Sequence, residues 1–133
     1  MNRRAVYLDS SAILKLVYTE DETEALELFL RAWPRRASSA VSGLEVMRIA
    51  RRVENALAVQ CARSVLDRID LISVDEPILR SAMTIEPRSV RSMDAIHLAT
   101  ATALQPEVAG MVVYDNRLAH AARGAGITVW APA

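Results

Sequence analysis

Several residue types are scarce in this sequence, and each scarcity excludes a class of site. Cys61 is the only cysteine, so neither an intrachain disulfide nor a cysteine-based zinc site can form. Lys15 is the only lysine, and sixteen basic residues balance sixteen acidic ones, so net charge gives no case for nucleic-acid binding. No GxxxxGKS/T or GxGxxG stretch occurs, which weighs against a nucleotide-triphosphate hydrolase or a dinucleotide enzyme.

Long apolar segments are also missing. No run approaches the roughly 18 to 20 apolar residues that span a bilayer. The start, MNRRAVYLDS, has two arginines but neither a long apolar segment nor a small-residue cleavage site. We therefore predict a cytoplasmic protein without a signal peptide. The chain has 133 residues, 52% hydrophobic and 24% charged, which suffices for one well-packed domain, predicted over residues 1–133.

Short β-rich runs alternate with segments whose apolar residues recur at helical spacing. Strands are predicted at RAVYL, RASSAV, LISV, AGMVVY and ITVW. Helices are predicted at SSAILKLVY, EDETEALELFLRAW, LEVMRIARRVEN, ALAVQCARSVLDRI, DEPILRSAMTI, SMDAIHLATATAL and NRLAHAARGAG, the last closed by glycine. This alternation predicts a three-layer α/β domain, in which helices flank a mostly parallel central sheet of about four to five strands.

Two of the predicted strands run straight into an aspartate. Asp9 follows the first strand and Asp115 follows AGMVVY, so both are expected beyond the carboxyl ends of parallel strands, where open sheets bind ligands. Asp94 falls in the first turn of a helix, in VRSMDAIHLA. Glu45 lies one or two turns into another, in SSAVSGLEVMR. Apolar residues flank all four acids, and the elements that carry them are expected to converge.

Each acid taken alone has a simpler explanation. The two aspartates at strand ends precede helices and could be N-caps, which stabilise by about 0.5 to 2 kcal/mol each. Asp94 could complement the helix dipole behind a Ser92 cap. Glu45 stands three residues after Ser42, which is the spacing of a capping box.

Taken together, the four acids indicate a shared site. Carboxylates held close together repel one another and raise one another's pKa, and a bound divalent cation removes that conflict. This set offers only oxygen ligands, without cysteine and without a paired histidine, so it suits a hard ion such as Mg²⁺ or Mn²⁺. Such an ion can position a phosphodiester and lower the pKa of the attacking water.

The histidines and serines near these acids do not form a nucleophile triad. His97 lies three positions after Asp94, where a packed, hydrogen-bonded histidine is more frequent than a ligand, and His120 is predicted on a helix surface. Ser10 and Ser11 have no histidine and aspartate partnership by spacing. Either serine could instead hydrogen-bond a neighbouring carboxylate or cap the helix.

Arginine makes up fifteen of the sixteen basic residues, and several arginines cluster near the acidic segments. Because arginine forks onto phosphate better than lysine does, these residues could hold the backbone of a nucleic acid beside a metal site. The candidates are Arg48, Arg51, Arg52, Arg88 and Arg91. A solvated helix surface is the alternative.

Four stretches, in order, resemble the motifs of the PIN-domain ribonucleases, specifically the VapC toxins of type II toxin–antitoxin pairs. VYLDSSAILKLVYTEDE is similar to their opening strand and first helix. SSAVSGLEVMR, RSMDAIHLATA and VVYDNRLAHAA are similar to their second, third and fourth motifs. The resemblance extends from about Val6 to the last strand, and it implies a PIN-like fold and a metal-dependent endoribonuclease.

The resemblance also implies a role for each acid. Asp9, Glu45, Asp94 and Asp115 fall on the acidic quartet of the family and would be catalytic. The three aspartates would hold Mg²⁺ or Mn²⁺ directly or through water, whereas Glu45 would orient a metal-bound water or a second ion. Ser11 matches a polar position that supports the first acid.

The alignment with the family favours a particular start for the helix of the second motif. Ser38 or Ser39 is expected to begin it. This start removes the Ser42 capping box and frees Glu45 to face the site.

Two departures from the family pattern affect the fourth motif. Val113 stands two places before the fourth acid, where many relatives carry a hydroxyl residue. Arg117 stands two places after it, where many carry another acid. Asn116 offers a neutral oxygen ligand as a partial substitute. We therefore predict a single-ion site and leave the occupancy of a second metal position open.

VapC-like proteins usually dimerise and are silenced by a small antitoxin whose C-terminal segment covers the acidic groove. The resemblance therefore implies an RNA substrate, a VapB-like antitoxin and a homodimer. Trp33 and the apolar first two helices could serve such contacts, or they could be plain core.

Two other function classes compete with a nuclease. A catalytically silent PIN-like binding module, part of a protein or RNA complex, is favoured by Val113 and Arg117 and opposed by the intact acidic quartet. A receiver-like phosphoacceptor domain also carries acids at strand ends. It would require a pair of acids near the first strand and a lysine late in the chain, and Lys15 is the only lysine.

Overall fold

A computed structural model of the chain describes residues 3–133. Met1 and Asn2 lie outside the described residues. They are the first two residues of the predicted domain and of the segment examined for a signal peptide. Within residues 3–133, every helix is too short or too polar to span a bilayer. The elements within residues 3–133 are, in order, β1 (Ala5–Leu8), α1 (Ser10–Val17), α2 (Thr23–Leu30), β2 (Arg36–Ser39), α3 (Ala40–Arg52), α4 (Ala56–Leu66), β3 (Asp70–Ile72), α5 (Glu76–Met83), α6 (Ser92–Ala103), β4 (Val108–Val112), α7 (Asn116–Gly124) and β5 (Val129–Trp130).

The strands form one parallel sheet in the order β3-β2-β1-β4-β5. β1 occupies the centre, where Tyr7 pairs with Ala37 of β2 and with Met111 of β4. All four residues of β1 are buried, as expected for a central strand whose sequence is a continuous apolar run. The prediction of a three-layer α/β domain is confirmed, and all five strands of the sheet are parallel.

Helices cover both faces of the sheet, because successive side chains of a strand point to opposite faces. Tyr7 lies in a buried cluster with Leu98 of α6 and Leu118 of α7. Val6 and Leu8 lie in a second buried cluster, with apolar residues of α1, α2, α3 and α4. The sheet between the two clusters presents the carboxyl ends of its parallel strands along one edge.

The start of α3 determines where Glu45 lies. Ser39 is the N-cap, and its hydroxyl oxygen accepts a hydrogen bond from the N–H of Val41 at 3.2 Å. The prediction that Ser38 or Ser39 begins this helix is therefore confirmed. Ser42 lies in the first turn and is fully buried, so the capping box considered for it is wrong.

The predicted Ser92 cap of α6 is also wrong. Arg91 has an extended backbone (φ −70°, ψ 156°) and occupies the N-cap position without a side-chain capping bond. Helical dihedral angles therefore begin at Ser92, the first residue of α6. Asp94 nevertheless lies in the first turn, as predicted, where the helix dipole favours a negative charge.

A glycine closes α7, as predicted. The helix ends at Gly124, and Gly126 has a φ of +81°, in the left-handed region that favours glycine. The N–H of Gly126 donates to the carbonyl of Arg123 at 2.9 Å, which satisfies one of the carbonyls left over at the helix end.

Trp33 belongs to the core. Its side chain is only 9% exposed, and its ring centroid lies 6.2 Å from that of Phe29 and 5.3 Å from that of Trp130. Of the two roles considered for Trp33, the structure shows core packing.

Candidate acidic site

Asp9 and Asp115 lie at the carboxyl edge of the sheet, after two neighbouring strands. Asp9 follows β1 directly, and Asp115 follows β4 by three residues. Each also caps the next helix. Oδ1 of Asp9 accepts a hydrogen bond from the N–H of Ala12 at 2.9 Å. Oδ1 of Asp115 accepts from the N–H groups of Arg117 and Leu118, at 2.7 and 3.1 Å. The capping interpretation is therefore correct for both, and the caps hold both carboxylates at this edge.

Asp9 is a carboxyl group that is only 4% exposed. Burial raises its pKa to about 6, against the opposing effect of the hydrogen bonds from Ala12 and Ser11. The Ser11 hydroxyl lies 2.9 and 3.0 Å from the two carboxylate oxygens, which is the contact expected of a supporting residue. The negative charges of Asp94 and Asp115 raise the pKa of Asp9 further.

Asp94 and Glu45 complete the set of four acids. The pKa of Asp94 is raised by burial and then by the charges of Asp115 and Glu45, while Arg91 lowers it. The negative charges of Asp94 and Asp115 likewise raise the pKa of Asp9. All four predicted acids therefore lie within one electrostatic cluster.

The donor set fits a hard divalent cation. It consists of carboxylate oxygens, and their mutual repulsion is the conflict that a dication relieves. In residues 3–133, no three His, Cys, Asp or Glu side chains are grouped closely enough to hold a metal ion as they stand.

A cavity of about 410 Å³ opens beside Asp94 and Asp115. Asn116, Arg91 and Arg117 also line it, so anionic and cationic side chains face the same space. Arg117, which departs from the family pattern, therefore forms part of the wall of this cavity. We call this space the acidic cavity.

The five candidate arginines lie in different places. Arg91 lines the acidic cavity. Arg48 and Arg52 line a separate cavity of about 350 Å³ together with Glu45. Arg51 and Arg88 are exposed and line neither of these two cavities.

His97 is packed and hydrogen-bonded, as predicted, and His120 is exposed on α7. The imidazole of His97 contacts the hydroxyl groups of Tyr7 and Ser10. Our sequence reasoning missed Tyr7 as a polar partner. The available signal was a single hydroxyl in the apolar run of β1, because a buried hydroxyl requires a hydrogen-bond partner.

The fold and the acids define a class of protein, an α/β domain with an acidic site at the carboxyl edge of a parallel sheet. Residues 6–124 match the family model of the PIN domain. The chain therefore belongs to the PIN-domain family, which confirms the resemblance seen in its motifs.

Individual relatives agree with this membership. Ribonuclease VapC46 of Mycobacterium tuberculosis is 42% identical over 128 residues, which cover 96% of this chain and 98% of the relative. A solved structure described as a toxin–antitoxin complex from Klebsiella pneumoniae superposes with a TM-score of 0.76 at 21% identity, covering 97% of this chain and 98% of the other. The crystal structure of the M. tuberculosis toxin VapC20, described as cleaving the sarcin-ricin loop, superposes with a TM-score of 0.70 at 17% identity, covering 93% and 97%. The two superpositions support the fold.

Proposed function

We propose that this chain is a ribonuclease toxin that cuts RNA endonucleolytically with the help of Mg²⁺ or Mn²⁺. The gathering of Asp9, Glu45, Asp94 and Asp115 in one electrostatic cluster carries the proposal, because such a cluster attracts a dication to a single edge of the sheet. The 42% identity to a ribonuclease, over nearly the whole of both chains, supports the reaction class.

In this proposal Asp9, Asp94 and Asp115 hold the ion, directly or through water, and Glu45 orients a water molecule. The bound ion would position the phosphodiester, stabilise its developing charge and lower the pKa of the attacking water. The chain prepares the site by holding Asp9 in place with two donors, the N–H of Ala12 and the hydroxyl of Ser11.

Arginines next to the acids would hold the RNA backbone. Arg91 and Arg117 are exposed and line the acidic cavity, where their charges can neutralise phosphates close to the ion. Arg48 and Arg52 would contact the strand on the side of Glu45. Arg51 and Arg88 are proposed as more distant contacts, and Asn116 as a neutral oxygen donor at the rim of the cavity.

A VapB-like antitoxin and a second copy of the chain are the proposed protein partners. The neighbour from K. pneumoniae is described as a toxin–antitoxin complex, which supports the first. Leu57 and Met83 are 72% and 80% exposed, and such apolar side chains provide surface for protein contacts. Light scattering of the chain, alone and co-expressed with the product of the adjacent reading frame, tests both partners.

A cytoplasmic location stays a prediction, consistent with an RNA substrate.

A catalytically silent PIN-like binding module is the second candidate. The observation that favours it is the absence, in the described part of the chain, of three acids grouped closely enough to hold an ion as they stand. Arg117, in the fourth motif, lines the acidic cavity, and its positive charge can compensate the charge of the acids as a metal ion would.

Cleavage of a pool of cellular RNAs by the purified chain, with Mg²⁺, Mn²⁺ or EDTA, distinguishes the two candidates. We expect metal-dependent cuts that disappear in Asp94→Asn and persist in Asp21→Asn, the same change at an exposed acid in the turn before α2. Absence of cuts with either metal, from folded protein free of bound partner, would favour the binding module.

A further inference from the structure

A buried set of hydrogen-bonded side chains lies beneath the acidic site and is centred on His97. The imidazole is 2% exposed and contacts two hydroxyl groups. The hydroxyl of Tyr7 lies 2.7 Å from Nδ1, and that of Ser10 lies 3.3 Å from Nε2. Both ring nitrogens therefore have a hydrogen-bond partner, although the ring is almost completely shielded from solvent.

The contacts continue from Ser10 through two more serines. Oγ of Ser10 lies 3.0 Å from Oγ of Ser42, which lies 2.8 Å from Oγ of Ser38. The Ser38 hydroxyl also lies 2.6 Å from the carbonyl oxygen of Leu8, the residue before Asp9. We call the five side chains the His97 chain; they are Tyr7, His97, Ser10, Ser42 and Ser38.

A hydroxyl donates only one proton, so the hydrogen bonds of this set run in one direction at a time. The Ser38 hydroxyl is placed to donate to the carbonyl oxygen of Leu8 and to Oγ of Ser42. When its proton goes to Ser42, Ser42 donates to Ser10 and Ser10 donates to Nε2 of His97. When its proton goes to Leu8, the direction reverses and Ser10 accepts from Nε2–H.

The direction of the set fixes the tautomer of His97. With the proton on Nε2, Nδ1 accepts a hydrogen bond from the hydroxyl of Tyr7, and with the proton on Nδ1 the ring donates to that hydroxyl. Burial lowers the pKa of His97 to about 4 and raises the pKa of Tyr7, so both groups are neutral at neutral pH.

The His97 chain joins the segments that carry three of the four acids. These segments are the β1–α1 junction, α3 and α6. Ser10 follows Asp9, Ser42 precedes Glu45 by one helical turn, and His97 follows Asp94 by one turn.

We propose that the His97 chain sets the spacing between Asp9, Glu45 and Asp94, so that His97 and Ser42 are positioning residues for the ion. This inference rests on the proposed function, since it assigns a role toward the same metal site. A hydrogen bond fixes distances only within a few tenths of an ångström. A continuous set of such bonds therefore limits how far α3 and α6 can move relative to Asp9.

A merely structural role predicts a different pattern of effects. Buried hydroxyls require partners whether or not a site is nearby, so breaking any of them lowers stability. If that is the whole role, the loss of metal affinity follows the loss of stability. If the His97 chain positions the acids, a broken link weakens metal binding, whereas an equally destabilising change outside the chain does not.

The first measurement is the protonation of the His97 ring in the metal-free protein, by ¹⁵N NMR of ring nitrogens at pH 7. We expect a single neutral tautomer, because each tautomer completes the set of hydrogen bonds in one of its two directions. A protonated ring, or a ring that exchanges between the two neutral forms, would overturn the continuous set of hydrogen bonds and with it the proposal.

The second measurement compares Mn²⁺ affinity, by calorimetry, in Ser42→Ala and Thr23→Val. Both changes remove a buried hydroxyl, but Thr23 begins α2, where it bonds the backbone of Lys15 and Glu20, outside the His97 chain. We expect about tenfold weaker binding in Ser42→Ala, the lower end of the effects known for residues that support metal ligands, and little change in Thr23→Val. If Ser42→Ala does not fold, Tyr7→Phe replaces it, because it removes one hydroxyl and keeps the ring.

The outcomes separate this inference from the proposed function. Wild-type protein that binds Mn²⁺ no more tightly than Ser42→Ala overturns the positioning role alone. An equal loss of affinity in Ser42→Ala and Thr23→Val assigns the effect to stability and also overturns it. Wild-type protein that binds no Mn²⁺ contradicts the metal site itself, and the proposed function fails with it.

Discussion

At the scale of single residues, burial raises the pKa of Asp9 and lowers the pKa of His97. The pKa of Asp9 is about 6 in the folded chain against 3.8 for an exposed aspartate. The folded state therefore binds more protons than the unfolded state between about pH 4 and 6, and the contribution of Asp9 to stability falls as pH rises through that range. The pKa of His97 is about 4 against 6.5, so its contribution rises with pH over about the same range.

Replacing Asp9 by Asn should reveal the contribution of the buried Asp9 carboxyl group to stability. Asn keeps an oxygen that can cap α1, but it carries no buried charge. In EDTA we expect Asp9→Asn to be more stable than wild type by about 2 to 3 kcal/mol at pH 7, corresponding to a shift of about two pKa units, and equally stable at pH 4. Urea unfolding at pH 4, 5, 6 and 7 measures the difference.

The control for this prediction makes the same change at an exposed N-cap. Asp75 caps α5 by accepting a hydrogen bond from the N–H of Ile78, and its side chain is open to solvent. Asp75→Asn should not gain stability over wild type at pH 7. A loss of stability in Asp9→Asn at that pH would contradict the account of Asp9 as a destabilising buried charge.

At the scale of elements, the approach of β4 to β5 depends on a residue without a side chain. A Cβ at Gly110 would lie 2.5 Å from the carbonyl oxygen of Thr128 and 2.7 Å from the ring of Trp130. We expect Gly110→Ala to destabilise the fold by about 1 to 3 kcal/mol, because β5 must move away. Thermal or urea unfolding measures the change.

Gly124 offers a matched comparison for Gly110. It is the last residue of α7, and a Cβ there would meet nothing within 4 Å. Gly124→Ala should therefore be neutral or stabilise by up to about 1 kcal/mol, since alanine favours the helix. Similar losses in both variants would show that the packing of β5 against Gly110 is not the cause.

Element positions were predictable from the sequence where one local signal dominates. The apolar runs of β1 and β4 predicted buried strands, and the aspartates after them predicted both helix caps correctly. Ser92 was assigned wrongly as a cap because its neighbour Arg91 takes the N-cap position through backbone conformation alone. Ser42 has capping-box spacing, but it is buried against Ser10, which lies 32 residues earlier in the sequence. Such contacts depend on tertiary packing that local spacing does not encode.

The acidic site follows the same division between local and tertiary information. Sequence patterns placed Asp9 and Asp115 at one edge of the sheet because parallel strands share their carboxyl ends. They did not predict that Glu45 lines a different cavity from Asp94, since that depends on how α3 and α6 pack. The contacts of the Tyr7 hydroxyl with His97, across 90 residues, were beyond local reasoning for the same reason.

At the scale of the whole molecule, metal binding should be coupled to stability and to pH. A ligand that binds only the folded chain stabilises it by about 2.7 kcal/mol at a hundred times its Kd. Because Asp9 must lose its proton to hold an ion, we expect Mn²⁺ to raise the Tm more at pH 7 than at pH 5. Differential scanning calorimetry with Mn²⁺ or EDTA measures this. Asp115→Asn should lose the increase at both pH values, and an unchanged increase would remove Asp115 from the metal site.

RNA binding should depend on where positive charge lies, because the chain as a whole has a net charge of zero. With sixteen acidic and sixteen basic residues, attraction for RNA must come from local clusters such as Arg91 and Arg117 in the acidic cavity. Each phosphate that an arginine neutralises releases counterions, so its loss weakens binding and flattens the dependence on salt.

We therefore expect Arg117→Gln to weaken RNA binding and to lower the slope of log affinity against log salt by about one. Binding is measured by fluorescence anisotropy in Asp94→Asn protein, which prevents cleavage during the titration. Arg123→Gln is the control, because Arg123 is an exposed arginine on the same helix, α7, that does not line the acidic cavity. Equal slopes for the two variants would mean that RNA does not pass through the acidic cavity. The strand would then have to reach the acids from the side of Glu45, where Arg48 and Arg52 line the neighbouring cavity.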